Sequence, residues 1–161
     1  MAPKAVEYIV KAEDTDIIEK VSFALYNQIR SLESKPGKHF ADLWSIKASV
    51  AALAAQGNLC VFYKDSDRIS MVGAVASNIV LPWYTRQTCL DEIFVIQMNP
   101  QFHGFGKVAL DSLKKKAKVN GCALLQTGAS MTDRPEMLRN IYERKGKCTF
   151  TYQSYVWVMP H

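Results

Sequence analysis

From Phe94 to Leu110 the chain reads Phe94-Val95-Ile96-Gln97-Met98-Asn99-Pro100-Gln101-Phe102-His103-Gly104-Phe105-Gly106-Lys107-Val108-Ala109-Leu110. An apolar, strand-like run feeds a turn with glycines at 104 and 106, and a helical pattern follows. Glycine permits a tight turn with its N–H groups facing inward, and a helix start adds about half a positive charge. Together they hold a phosphate or diphosphate without any basic side chain, and Lys107 would add a full charge beside it. ATP and GTP are disfavoured as ligands. Gly104-Phe105-Gly106-Lys107-Val108 has neither the glycine spacing of a Walker A loop nor its hydroxyl residue after the lysine. A dinucleotide fingerprint fits Gly104-x-Gly106-x-x-Ala109 in letters, but Gln126 and Thr127 stand where its ribose-binding carboxylate belongs. That unit also usually opens its fold, whereas here two helices and a hairpin come first.

The elements that must position this turn follow from periodicity. Val6, Tyr8, Val10 and Ala12 alternate with Glu7, Ile9 and Lys11 and predict a first strand. Asp16 with Glu19 resembles a capping box, and Ile17, Val21, Leu25 and Ile29 then line one face of a helix over about 16–32. After the breaker Ser34-Lys35-Pro36-Gly37, a second amphipathic run carries Phe40, Leu43, Trp44, Ala51 and Ala54 as far as Gln56-Gly57-Asn58. Residues 59–63 and 69–80 form a hairpin, and a strand over 90–98 leads into the turn. A helix over 106–120 ends at Gly121, a short strand covers 123–126, and a helix from about 133 to 145 stops at Gly146. Residues 149–152 and 155–159 complete the sheet. The order is β-α-α-β-β-β-α-β-α-β-β.

With 161 residues, 48% of them hydrophobic and 22% charged, the sequence suits one globular domain over 1–161 and argues against disorder. No apolar stretch approaches the ~18–20 residues of a membrane span, and Met1-Ala2-Pro3-Lys4 shows no signal-peptide apolar region. Neither a membrane nor secretion is expected. Cys60, Cys89, Cys122 and Cys148 show no CxxC spacing and read as free thiols of a reducing cytoplasm, with no metal site. Net charge is +5, which suits a polyanionic small ligand better than a nucleic acid. The cluster Lys114, Lys115, Lys116 and Lys118 reads as a solvated helix face.

At the turn, and again near Tyr142, the sequence resembles the GNAT family of N-acetyltransferases. The family's Q/R-x-x-G-x-G/A turn appears as Gln101-x-x-Gly104-x-Gly106, and Leu138 to Gly146 is similar to its late A-x-x-x-Y-x-K-x-G segment. The element order is also the family's over nearly the whole chain. A second register aligns Pro100 to Gly106 with P-E-Y-R-G-x-G, with His103 in place of Arg, and both registers stay open. Val108, Lys147 and Pro135 depart from the usual pattern.

The resemblance implies an α/β fold with a GNAT-like mixed, mostly antiparallel, twisted sheet flanked by helices. It implies acetyl-CoA as acyl donor and an amine of a small molecule or protein as acceptor. The pantetheine arm would lie along Ile96, Gln97 and Met98, and the diphosphate on Gln101, His103, Gly104, Phe105, Gly106, Lys107 and Val108. Phe105 would shield the turn. Tyr142 matches the family's general acid, or else is an ordinary amphipathic tyrosine. Glu92 matches its general base, or else is a strand-end carboxylate beside Asp91. Strand alternation would keep Glu92, Phe94, Ile96 and Met98 on one face. Trp83 and Tyr84 would wall the acceptor site, unless Trp83 caps the core, and His39 would lie near it or on the surface. Trp157 and the late tyrosines read as core. A homodimer is compatible with the sequence. Two competing classes are a non-catalytic binding module of this fold and a nucleotide or dinucleotide protein.

Overall fold

The computed structural model describes residues 4–32, 41–128 and 135–145. Its elements are β1 (Val6–Ile9), α1 (Thr15–Leu32), α2 (Leu43–Ala55), β2 (Leu59–Tyr63), β3 (Met71–Val80), β4 (Cys89–Gln97), α3 (Phe105–Val119), β5 (Leu124–Gln126) and α4 (Pro135–Asn140). A π-helical turn, Ile141–Lys145, follows α4. This is the expected order as far as the described residues run. The two last expected strands, with Lys147, Cys148 and Trp157, lie outside them, as do the breaker at 34–37 and His39.

The sheet runs β1-β2-β3-β4-β5, antiparallel except for β4 with β5. That one parallel pair follows from the crossover through α3, since parallel neighbours need a long connection. All five residues of β2 are buried because both faces of the sheet are covered. Leu59, Val61 and Tyr63 meet Val21, Leu25, Val50 and Leu53 of α1 and α2. Cys60 and Phe62 meet Phe105, Ala109, Leu113 and Ala117 of α3.

Two helix starts differ from expectation. α1 begins at Thr15, with Asp14 and not Asp16 at its end. The Asp14 carbonyl accepts from Ile17 N and Ile18 N at 3.0 Å each, and its carboxylate accepts from Lys11 N and Tyr8 Oη. Glu19 does not complete a capping box; it pairs with Lys47 at 2.9 Å. α2 is capped by Asp42, which accepts from Ser45 N at 2.9 Å. Its buried stripe is Val50, Leu53 and Ala54, in phase with the half-buried Ile46 and Leu43. Trp44 lies about a third of a turn off that stripe and is 82% exposed, so it is not on the core face.

The expected alternation along β4 is also broken. Phe94 pairs with Ala76 but Glu92 pairs with Ser77, so Ile93 is an extra residue with no partner in β3. A bulge of this kind reverses the side-chain parity on one side of it. Phe94 and Ile96 pack under α1 and α2. Leu90 packs on the α3 side, and Ser77, opposite Glu92, accepts from Lys116 of α3. Glu92 therefore faces α3 and does not share a face with Phe94.

Phe105, the first residue of α3, is 2% exposed and meets Phe62 edge to face at 5.7 Å. The ring lies directly on Gly73 of β3. A Cβ at Gly73 would stand 2.2 Å from the ring and 2.6 Å from the Ile96 carbonyl. Gly73→Ala is expected to destabilise the fold by about 3 kcal/mol through overpacking, and Phe105→Leu in the same chain should recover part of the loss. Urea unfolding of the three variants checks both statements.

Candidate active site

The bulge turns Glu92 toward the π-helical turn after α4, and there Tyr142 Oη donates to Glu92 Oε2 at 2.9 Å. Tyr142 is buried at 6% exposure and Glu92 is half-buried. The two residues singled out as acid and base are fifty positions apart and in direct contact. Burial pushes the Glu92 carboxyl up to about 7; the Tyr142 hydroxyl and the Gly128 amide pull it down, and Asp91 adds to the rise. Burial raises Asp91 as well. A carboxyl that titrates near neutrality is suited to taking and returning a proton.

The β4–β5 pairing ends beside this pair. β5 pairs only with Cys89, Leu90 and Asp91. From Glu92 to Gln97, no described strand pairs with that side of β4.

The glycine turn lies at the far end of β4. Gly104 takes φ +88°, the left-handed region, and caps α3 without a side-chain hydrogen bond. The amides of His103, Gly104, Phe105 and Gly106 meet no acceptor among the described residues. Four consecutive donors at a helix start are what an anion needs. Phe105 offers only its backbone, because its ring is in the core and does not shield the turn. At Gly106 a Cβ would stand 3.2 Å from Ile141 Cδ1, so its missing side chain makes room for the π-helical turn that follows α4. Lys107 pairs with Asp111 at 2.7 Å, Val108 packs against the core, and His103 and Gln101 are exposed.

Along the strand end, Ile96 is in the core and presents only its backbone. The Met98 amide donates to Val72 O at 2.9 Å. The Met98 side chain borders a cavity of about 490 Å³ with Asp16, Glu19, Lys20 and Phe23. The Gln97 amide reaches the turn's own carbonyls. Asn99, which accepts from Gln101 N at 3.0 Å, is a turn-forming residue that the sequence reading passed over, although Asn before Pro is a known turn signal.

Trp83 and Tyr84 lie on the β3–β4 connection, 95% and 61% exposed, their rings edge to face at 5.7 Å. Trp83 does not cap the core. The pair stands at the Cys89 end of β4, about 10 Å of strand from Glu92 and away from the glycine turn. The lysine cluster is divided, because Lys116 turns inward to Ser77 and Asn58. Cys60 and Cys89 are buried free thiols, and Cys60 is pushed up to about 12 by burial. Among the described residues no group of metal-binding side chains occurs, and no helix is long and apolar enough to cross a membrane.

No family model and no curated protein matches the sequence. Solved structures do match in fold. An aminoglycoside acetyltransferase from an uncultured soil metagenomic sample is 11% identical, with 97% of this chain and 99% of that one covered, at a TM-score of 0.64. A second such enzyme, solved in complex with sisomicin, is 14% identical over 98% and 96% of the two chains, at 0.62. A ribosomal-protein-alanine N-acetyltransferase from Brucella melitensis biovar Abortus is 16% identical over 97% and 99%, at 0.59. The chain has the GNAT fold of these acetyltransferases.

Glu92 carries its own pH signature. Its folded-state value is raised above the ordinary 4.5 to about 7, so the folded chain binds more protons than the unfolded one between those values. Stability is expected to fall as pH rises from about 4.5 to above 7, and Glu92→Gln should flatten that slope. Chemical-denaturation midpoints across this range, for both proteins, decide it.

Proposed function

We propose that the chain is an acetyl-CoA-dependent N-acetyltransferase acting on an amine. The observation that carries this reading is the Glu92–Tyr142 pair at the end of the β4–β5 pairing, with Glu92 on the strand that leads into a turn whose amides meet no acceptor among the described residues. The residues present fit the donor at both ends. The His103 to Gly106 amides would hold its diphosphate, and the open edge of β4 up to Gln97 would pair with its pantetheine arm as an added strand does. When bound, acetyl-CoA supplies the thioester carbonyl that the acceptor nitrogen attacks.

Glu92 takes the proton that the attacking amine must lose, which its raised affinity for protons favours near neutral pH. Tyr142 holds its hydroxyl hydrogen at the same place and gives it to the departing sulfur. The hydrogen bond between them keeps both groups aimed into the opening. Trp83 and Tyr84 offer exposed ring faces at the Glu92 end of β4, suited to an alkylammonium group before it is deprotonated. The solved relatives include enzymes for an aminoglycoside and for a ribosomal protein, which supports an amine acceptor in either a small molecule or a protein.

Glu92→Gln and Tyr142→Phe are each expected to lower kcat by about 10²-fold while CoA affinity stays unchanged. The double variant should lose much less than the product of the single losses, because the two groups share one hydrogen bond. Thiol release measured over a panel of amines, beside calorimetry with CoA, provides the test. No CoA binding and no thiol release with any amine would refute the reading.

A further inference from the structure

Gln97 belongs by sequence among the residues expected to touch the donor, and its side chain is engaged elsewhere. Pairing with Gly73 places it at the last position of β4, and Val95, two residues earlier, packs on the α3 side. Gln97 Nε2 donates to the Asn99 carbonyl at 2.8 Å and to the Phe102 carbonyl at 2.9 Å. One amide group thus bridges both ends of the chain reversal, inside which Gln101 N and Phe102 N donate to Asn99 at 3.0 and 3.1 Å.

The consequence for the turn comes from peptide planarity. Every described peptide bond is trans, and in a trans peptide the carbonyl and the following N–H point in opposite directions. Asn99 is followed by Pro100, which has no N–H. Phe102 is followed by His103, so holding the Phe102 carbonyl toward Gln97 turns the His103 N–H away from the strand end. His103 is the first of the four consecutive amides that meet no acceptor. Gly106 N, in the first turn of α3, has no intrahelical acceptor, because the first helical bonds run from Lys107 N and Val108 N to the Gly104 carbonyl.

We propose that Gln97 is a positioning residue for the diphosphate-binding turn: it sets the Phe102–His103 peptide plane that presents the His103 donor, without touching the ligand. This rests on the donor site described under the proposed function. Its side chain is exposed, so water competes for both bonds and the effect is moderate.

Gln97→Met removes both donors at nearly constant length and adds no charge. Gln97→Val also removes the donors, with a shorter residue that favours strands. NMR titrations of the ¹⁵N-labelled full chain with CoA and with pantetheine, which has the same thiol arm and no diphosphate, separate the possibilities. Both variants are expected to lose about tenfold in CoA affinity, to keep pantetheine affinity, and to show a smaller His103 amide shift when CoA is added. Unchanged CoA affinity in both variants would overturn the proposal. Equal losses for CoA and pantetheine would overturn it too, since that marks a general structural role. A wild-type chain with no preference for CoA over pantetheine would remove the donor site itself, and this inference with it.

Discussion

One surplus residue in β4 decides what the rest of the molecule can do. With Ile93 unpaired against β3, the two halves of β4 present opposite parities. Phe94 and Ile96 remain committed to the core beneath α1 and α2, while Glu92 is delivered to the other layer. Without that extra residue Glu92 would lie under α1 and α2 among aliphatic side chains, fifty positions and one sheet thickness away from any contact with Tyr142. The same irregularity lies close to the last residue that pairs with β5, so the change of face and the end of the β5 pairing occur together.

A half-buried carboxyl in this position has an energetic cost that the fold meets only in part. The Tyr142 hydroxyl and the Gly128 amide favour the ionised form, while burial and Asp91 oppose it, and burial is the larger effect. The outcome is a group balanced between two protonation states near neutral pH. A site that needed only stability would be better served by an apolar residue here. The arrangement makes sense for proton transfer, where a fixed ionisation state would be a handicap.

Much of this was legible in the sequence. The stripe of α1, the hairpin, the glycine turn and the start of α3 are local patterns, and local patterns survive folding. The resemblance around Gly104, Gly106 and Tyr142 pointed to a fold that the solved acetyltransferases share. What escaped depended on partners distant in the chain. Leu90-Asp91-Glu92-Ile93-Phe94 alternates acceptably in either parity, so nothing in it announces a bulge set by Ala76 and Ser77. The phase of α2 is fixed by its cap at Asp42, and Trp44 looked apolar enough to belong inside until that phase was known. Phe105 beside two glycines suggested a cover for the turn, but the vacancy that takes its ring is created by Gly73, more than thirty residues earlier.

That ring seated on bare backbone makes the two walls of the proposed donor site unequal. On one wall, the root of α3 is keyed into β3 and β4 by an aromatic group with no slack around it. On the other, among the described residues, β5 pairs with β4 through three residue pairs and α4 is six residues long. Opening free energy scales with the contacts that must be broken. In the proposed reading the diphosphate of the donor would therefore rest on the keyed wall, since the Gly104 turn opens α3.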